Sequence, residues 1–187
     1  MTLSGLGDNA IEQGRPASKG PWRLGVFEQI WVWCEHCPLM APYDEIEDTL
    51  PVVAGDLLAI GHFTGNHWRK IFNVYAKSVF SIYQGQASTW QQYRDNELLQ
   101  KNSGTRLIWQ SRDFLGGPPQ VLHWVMGKQY ASQLGLEPRS GTRRVNNDFA
   151  VNHELNCVIT PYFDYRQLSN IKMEQLVQLI RDEWPCG

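Results

Sequence analysis

The chain has 187 residues, a formal charge of −2 at pH 7 and a pI near 6.2. That length fits one domain, and the absence of a global cationic field excludes a protein that coats nucleic acid through many phosphate contacts, while leaving room for a local basic cleft. No apolar run reaches the roughly 18 residues of a membrane span, and "MTLSGLGDNAIEQGRPASKG" lacks the apolar core of a secretory signal. Residues 1–20 therefore read as a poorly ordered arm, followed by a single domain over 21–187 in the cytoplasm. Eight Trp, seven Tyr and seven Phe are many for this length, enough to line a pocket or stack on a flat ligand as well as to fill a core.

"LGVFEQIWVW" (24–33) is rich in aromatic and β-branched residues and predicts a strand. "CEHC" (34–37) is a lone C-x-x-C. A zinc site needs a second ligand pair, and Cys157 and Cys186 do not supply one. A redox reading needs a helix next, and Pro38, Pro42 and an acidic run follow instead. No metal set and no cofactor motif is read from the chain. "APYDEIEDTLP" is a polar connection, and "DLLAIG" (56–61) predicts a short buried strand. From Asn66 the period changes: Trp68, Ile71, Phe72, Tyr75 and Val79 recur at three and four, which predicts an amphipathic helix running to about Gly85.

"STWQQYRDNELLQK" (88–101) predicts a helix capped by Ser or Thr. "TRLIWQ" (105–110) and "VLHWVMG" (121–127) predict strands on either side of a Gly-Gly and Pro-Pro loop at 112–120. "KQYASQLGL" predicts a short helix, and 137–148 predicts a loop. "LNCVITPY" (155–162) predicts a strand, and 171–184 a C-terminal amphipathic helix. Strands alternate with helices, and three of the apolar runs are short and lack strict alternation. The fold class is therefore α/β, a three-layer sandwich around a central, mostly parallel sheet.

Ligands of such sheets bind beyond the carboxyl ends of the strands. The segments leaving those ends are 61–68, 110–119, 127–130 and 160–170. In the first, Gly65 permits an unusual backbone angle and Asn66 is a candidate helix cap. His67, Arg69 and Lys70 then crowd the first turn. Cations there are unfavourable by about 0.3–1 kcal/mol each, so they call for a bound anion or a nearby acid. The Gly-Lys-[ST] signature of a Walker loop is missing. In the last segment Tyr162, Asp164, Tyr165 and Arg166 follow Pro161, a set able to hold a ring and clamp a phosphate. Its bland alternative folds the aromatics onto the sheet and pairs Asp164 with Arg166. His123 reads as a hydrogen-bonded core residue, Lys128 as a surface lysine at a helix start, and His153 and Glu154 as loop residues. Arg139, Arg143 and Arg144 read as a solvated basic loop.

"VLHWVMGKQYASQLGL" and "CVITPYFDYRQLSN" resemble the uracil-DNA glycosylase superfamily: a strand running into a Gly-Lys helix start, then a final strand and a loop that enters the DNA minor groove. The likeness covers the C-terminal third. The His-Pro-Ser of that loop stands here as Thr160-Pro161-Tyr162, and the water-activating acidic loop has no clear counterpart. "NHWRKIFNVYAK" with "PYFDYRQLSN" also resembles an uncharacterised conserved bacterial family. The glycosylase likeness implies a nucleotide or nucleic-acid partner. Asn66, Asn73, Tyr162 and Tyr165 would then read a base. Arg69, Lys70 and Arg166 would hold phosphate, with Asp164 and Asn170 in the same loop. His62 or His67 would serve as the base. Two alternatives stay open: an enzyme acting on a phosphorylated or carboxylated metabolite, and a non-enzymatic binding protein.

Overall fold

Alternation of side chains along a strand decides how this sheet is covered. The computed structural model describes residues 27–45, 49–82, 87–109, 118–136 and 141–185. β1 (Gln29–Cys34) pairs in parallel with β2 (Thr105–Trp109) and with β3 (Val121–Met126), and β3 pairs in parallel with β6 (Cys157–Thr160). β5 (Ala150–Asn152) and β4 (Thr142–Arg144) extend the edge antiparallel, giving the order β2-β1-β3-β6-β5-β4. The sheet is mixed, with its four central and leading strands parallel.

Ile30, Val32, Leu122, Trp124 and Val158 point to one face. There they join α2 (Asn66–Ile82) and α5 (Asn170–Glu183) in the larger core. Trp33, Val125 and Ile159 point to the other face and join α4 (Lys128–Gln133) in a smaller core. The predicted stripe of α2 is buried throughout: Trp68, Ile71, Phe72, Tyr75 and Val79. The Tyr75 hydroxyl lies 3.1 Å from the Ile30 carbonyl oxygen and 2.9 Å from that of Arg106, tying α2 to both β1 and β2.

Three expectations change. Residues 56–61 form a helix, α1 (Asp56–Phe63), and not a strand. An apolar run this short does not distinguish the two by period. What decides is the ends: Asp56 Oδ2 accepts from Val53 N at 2.8 Å, and Thr64 Oγ1 donates to the Ile60 carbonyl at 2.6 Å. The helix expected over 88–101 closes early, as α3 (Trp90–Asn96), because Leu99 takes φ 61° and Asn102 φ 68°. Thr89 caps it, accepting from Gln92 N at 3.2 Å. The loop expected over 137–148 contains β4, and β5 follows it. Asn146 Oδ1 accepts from the backbone N–H groups of Asp148 and Phe149, at 2.7 and 2.9 Å, and makes the hairpin turn. The arm at 1–20, the stop at Gly85, most of the 112–120 loop, Arg139 and Cys186 lie outside the described residues.

Candidate functional site

β1 leads through α1, α2 and α3 on one face, while β3 leads at Gly127 into α4 on the other. The chain therefore leaves these neighbouring strands toward opposite faces of the sheet, the arrangement at which α/β sheets bind ligands. The loop after β6 meets the start of α2 beside these strand ends. A Cβ on Gly127 would stand 3.7 Å from Tyr162 Cδ2. Tyr162 stacks on His67, with ring centroids 5.4 Å apart and planes at 24°, and the two are hydrogen-bonded at 2.9 Å. Lys70 Nζ donates to Asp164 Oδ2 at 2.7 Å and stands 5.6 Å over the ring of Tyr165. Segments almost a hundred positions apart thus share one surface.

Asp164 is a hub. Its second oxygen accepts from the Arg166 backbone N–H at 2.9 Å, not from the guanidinium. The hydrogen bond from Lys70, then that from Arg166 N, hold its carboxyl below the usual range. Partial burial lowers the His67 pKa, and the nearby charges of His36 and Lys70 add to that, with Asp164 opposing. Burial raises the Tyr162 phenol, and so do Cys34 and Glu35. Glu35 and His36 therefore belong to this neighbourhood, at the end of β1. Glu35 is fixed by Gln133 Nε2 at 3.1 Å and lies 3.7 Å from His36 Nε2. The C-x-x-C motif offered only spacing, and spacing gave no hint of this position. Cys34 and Cys37 are both buried, and the described residues contain no His/Cys/Asp/Glu group able to hold a metal.

Other residues read from the sequence lie elsewhere. Phe163 is fully buried between Trp124 and Tyr75. Asn170 is exposed and opens α5, which Ser169 caps. Lys128 Nζ donates to the Asn147 carbonyl, toward the β4–β5 turn. His123 is in the core, accepting from Trp33 Nε1 at 3.0 Å. His153 and Arg143 both bind Glu183. Asn66 is not the cap expected for α2: it is the first helical residue, after Gly65 at φ 91°. Its side-chain oxygen accepts from Arg69 Nε and Nη2, at 3.1 and 2.7 Å.

Successive helical residues are set about 100° apart. Arg69 and Asn73 consequently turn away from Lys70 and His67, into a separate cleft of about 410 Å³ between α1, α2 and α3. His62, Asn66, Phe72 and Arg94 also line it. Gly61 lets α1 approach: a Cβ there would meet Arg69 Cβ at 3.2 Å. Gly61→Val is expected to cost about 1–3 kcal/mol, because the overpacked α1–α2 contact cannot relax across a two-residue turn; thermal unfolding measures it, and a melting temperature equal to the wild type would refute the close-approach account.

A mixed α/β sheet with helices on both faces, and with His67, Lys70, Tyr162 and Asp164 meeting on one surface, defines the class of this protein. The chain matches DUF6942, a family of unknown function, over residues 25–181, and it belongs to that family. No curated protein and no solved structure matches the chain.

Proposed function

We propose that the protein handles nucleotides or nucleic acid on the surface shared by the start of α2 and the loop after β6, in a fold of the uracil-DNA glycosylase kind. The observation that carries this reading is the paired contact of Tyr162 with His67 and of Lys70 with Asp164. Beside it, Tyr165 is 42% exposed and carries a lysine over its ring. An exposed ring flanked by Lys70 and Arg166 suits a stacked base followed by a phosphate. The same reading sets the protein in the bacterial cytoplasm, in keeping with the free thiols of Cys34 and Cys157.

Thr160, in the position of the superfamily's histidine, is fully buried. Its hydroxyl accepts from Trp124 Nε1 and donates to the Pro161 carbonyl, both at 2.9 Å. Buried and with its one proton committed, it has nothing to donate to a substrate. His67, whose lowered pKa keeps it neutral near pH 7, is the base on this surface.

Fluorescence anisotropy with labelled single-stranded DNA tests the reading. Tyr165→Ala is expected to weaken binding about tenfold, since one stacked base contributes roughly 1–3 kcal/mol. Arg166→Ala is expected to weaken it and to flatten its dependence on salt. Wild-type protein that binds neither oligonucleotides nor nucleotides at low salt would refute it, as would two variants that bind like the wild type.

A further inference from the structure

We infer that the cleft between α1, α2 and α3 is a binding site for a phosphoryl group, independent of any nucleic acid held at Tyr162 and Tyr165. The argument starts from donors and acceptors. A guanidinium only donates. Asn66 Oδ1 accepts from Arg69, and Asn73 Oδ1 accepts from Arg94 Nη1 at 2.6 Å. Both amides are therefore oriented with their NH2 groups left over. Asp95, next to Arg94 in α3, has both oxygens on it, at 2.7 and 3.0 Å. These side-chain acceptors are thus all engaged from inside. The cleft keeps the NH2 groups of Asn66 and Asn73 and the remaining N–H groups of Arg69. A ligand completing it must bring oxygens and negative charge.

Charge points the same way. Of the two cations side by side on α2, Lys70 has Asp164, whereas Arg69 has no carboxylate partner among the described residues. The first turn of α2 also contains no acid, and its free N–H groups add positive potential. Arg94 is only 14% exposed and is gripped by Asp95, by Asn73 and by the ring of Trp90 at 5.6 Å. One guanidinium is therefore fixed in advance and the other is left in excess, which is how a preorganised anion site is built. Donors arrive from the Arg69 guanidinium and from two amides about two turns apart on α2, with the Arg94 guanidinium fixed beside them. Converging directions of this kind suit a tetrahedral oxyanion better than a planar carboxylate. Leu57 and Phe72 line the apolar side of the cleft and give the body of an organic phosphate somewhere to lie.

Thermal unfolding of the full chain reads the site, with 10 mM inorganic phosphate, sodium acetate and a nucleoside 5′-monophosphate compared at one ionic strength. Phosphate is expected to raise the melting temperature by about 3 °C or more, and acetate by far less. Arg69→Gln, an exposed position that leaves the fold intact, is expected to abolish the shift, and Asn73→Asp to abolish it by adding a like charge. Arg166→Ala is expected to retain it. A nucleotide shift equal to that of phosphate assigns the source to the phosphoryl group alone, a larger one to a nucleotide; both support the site. No phosphate-specific shift in the wild type, or an equal shift in Arg69→Gln, overturns it. Oligonucleotide binding that is lost in Tyr165→Ala but kept in Arg69→Gln separates this site from the surface at Tyr162.

Discussion

Trp124→Ala is expected to lower stability by about 3–5 kcal/mol, the range for deleting a large buried aromatic. For a domain of this size that is a fall of about 10 °C or more in melting temperature. Trp124 is fully buried in the centre of β3. Its ring meets Phe163 edge-on at 5.1 Å, and its Nε1 donates to Thr160 Oγ1 at 2.9 Å. The substitution removes packing from the larger core and one partner from a buried hydroxyl at once. Thr160 in turn sets the path of Pro161 and Tyr162. Trp124→Phe isolates the second effect: most of the volume stays, the hydrogen bond goes, and a loss of about 1–2 kcal/mol is expected. Binding at Tyr162 should weaken in Trp124→Phe more than its stability falls. A Trp124→Ala protein melting within about 3 °C of the wild type would refute this account of the core.

Stability is expected to drop between pH 6.5 and pH 4 through His123. Burial lowers the pKa of this ring to about 4 from an ordinary 6.5. It is neutral in the fold, held against Trp33 Nε1. Below pH 6.5 the unfolded chain takes up a proton that the folded chain refuses, so acid favours unfolding. Its contribution is complete above pH 6.5 and is lost by about pH 4, a difference of about 3 kcal/mol for the shift of His123. His67 acts in the same direction, weakened by its exposure to solvent. Asp164 and Glu183, with lowered pKa values, lose their contributions only below the ordinary carboxylate range. His123→Gln keeps an acceptor for Trp33 and removes the titration. Denaturant melts at pH 7, 5.5 and 4.5 should show the loss in the wild type and a flatter line in the variant. A flat wild-type profile would count against a neutral, buried His123.

Elements with a long period or a strong turn were legible in the chain. The stripe from Trp68 to Val79 repeats at helical spacing for three turns, and a repeat of that length has one low-energy solution. Val121–Met126 and Cys157–Thr160 are apolar on both faces, which only a covered, parallel sheet satisfies. Asn146-Asn147-Asp148 was a turn signal for the β4–β5 hairpin, visible but masked by the surrounding polar residues. Asp56–Phe63 was not legible as a helix, because its apolar residues, Leu57 to Ile60 and Phe63, follow no helical face.

By itself the sequence determined the α/β class, the stripe of α2, and the gathering of His, Tyr, Lys and Arg in two short segments. Only the tertiary structure decided who meets whom. Lys70 found its acid 94 positions away, whereas Arg69, one residue earlier, turned into a different cleft with Arg94. Adjacent residues of a helix diverge by about 100°, so closeness in the chain carries no promise of a shared site. The partner of each side chain is set by the helices and strands that the core brings alongside.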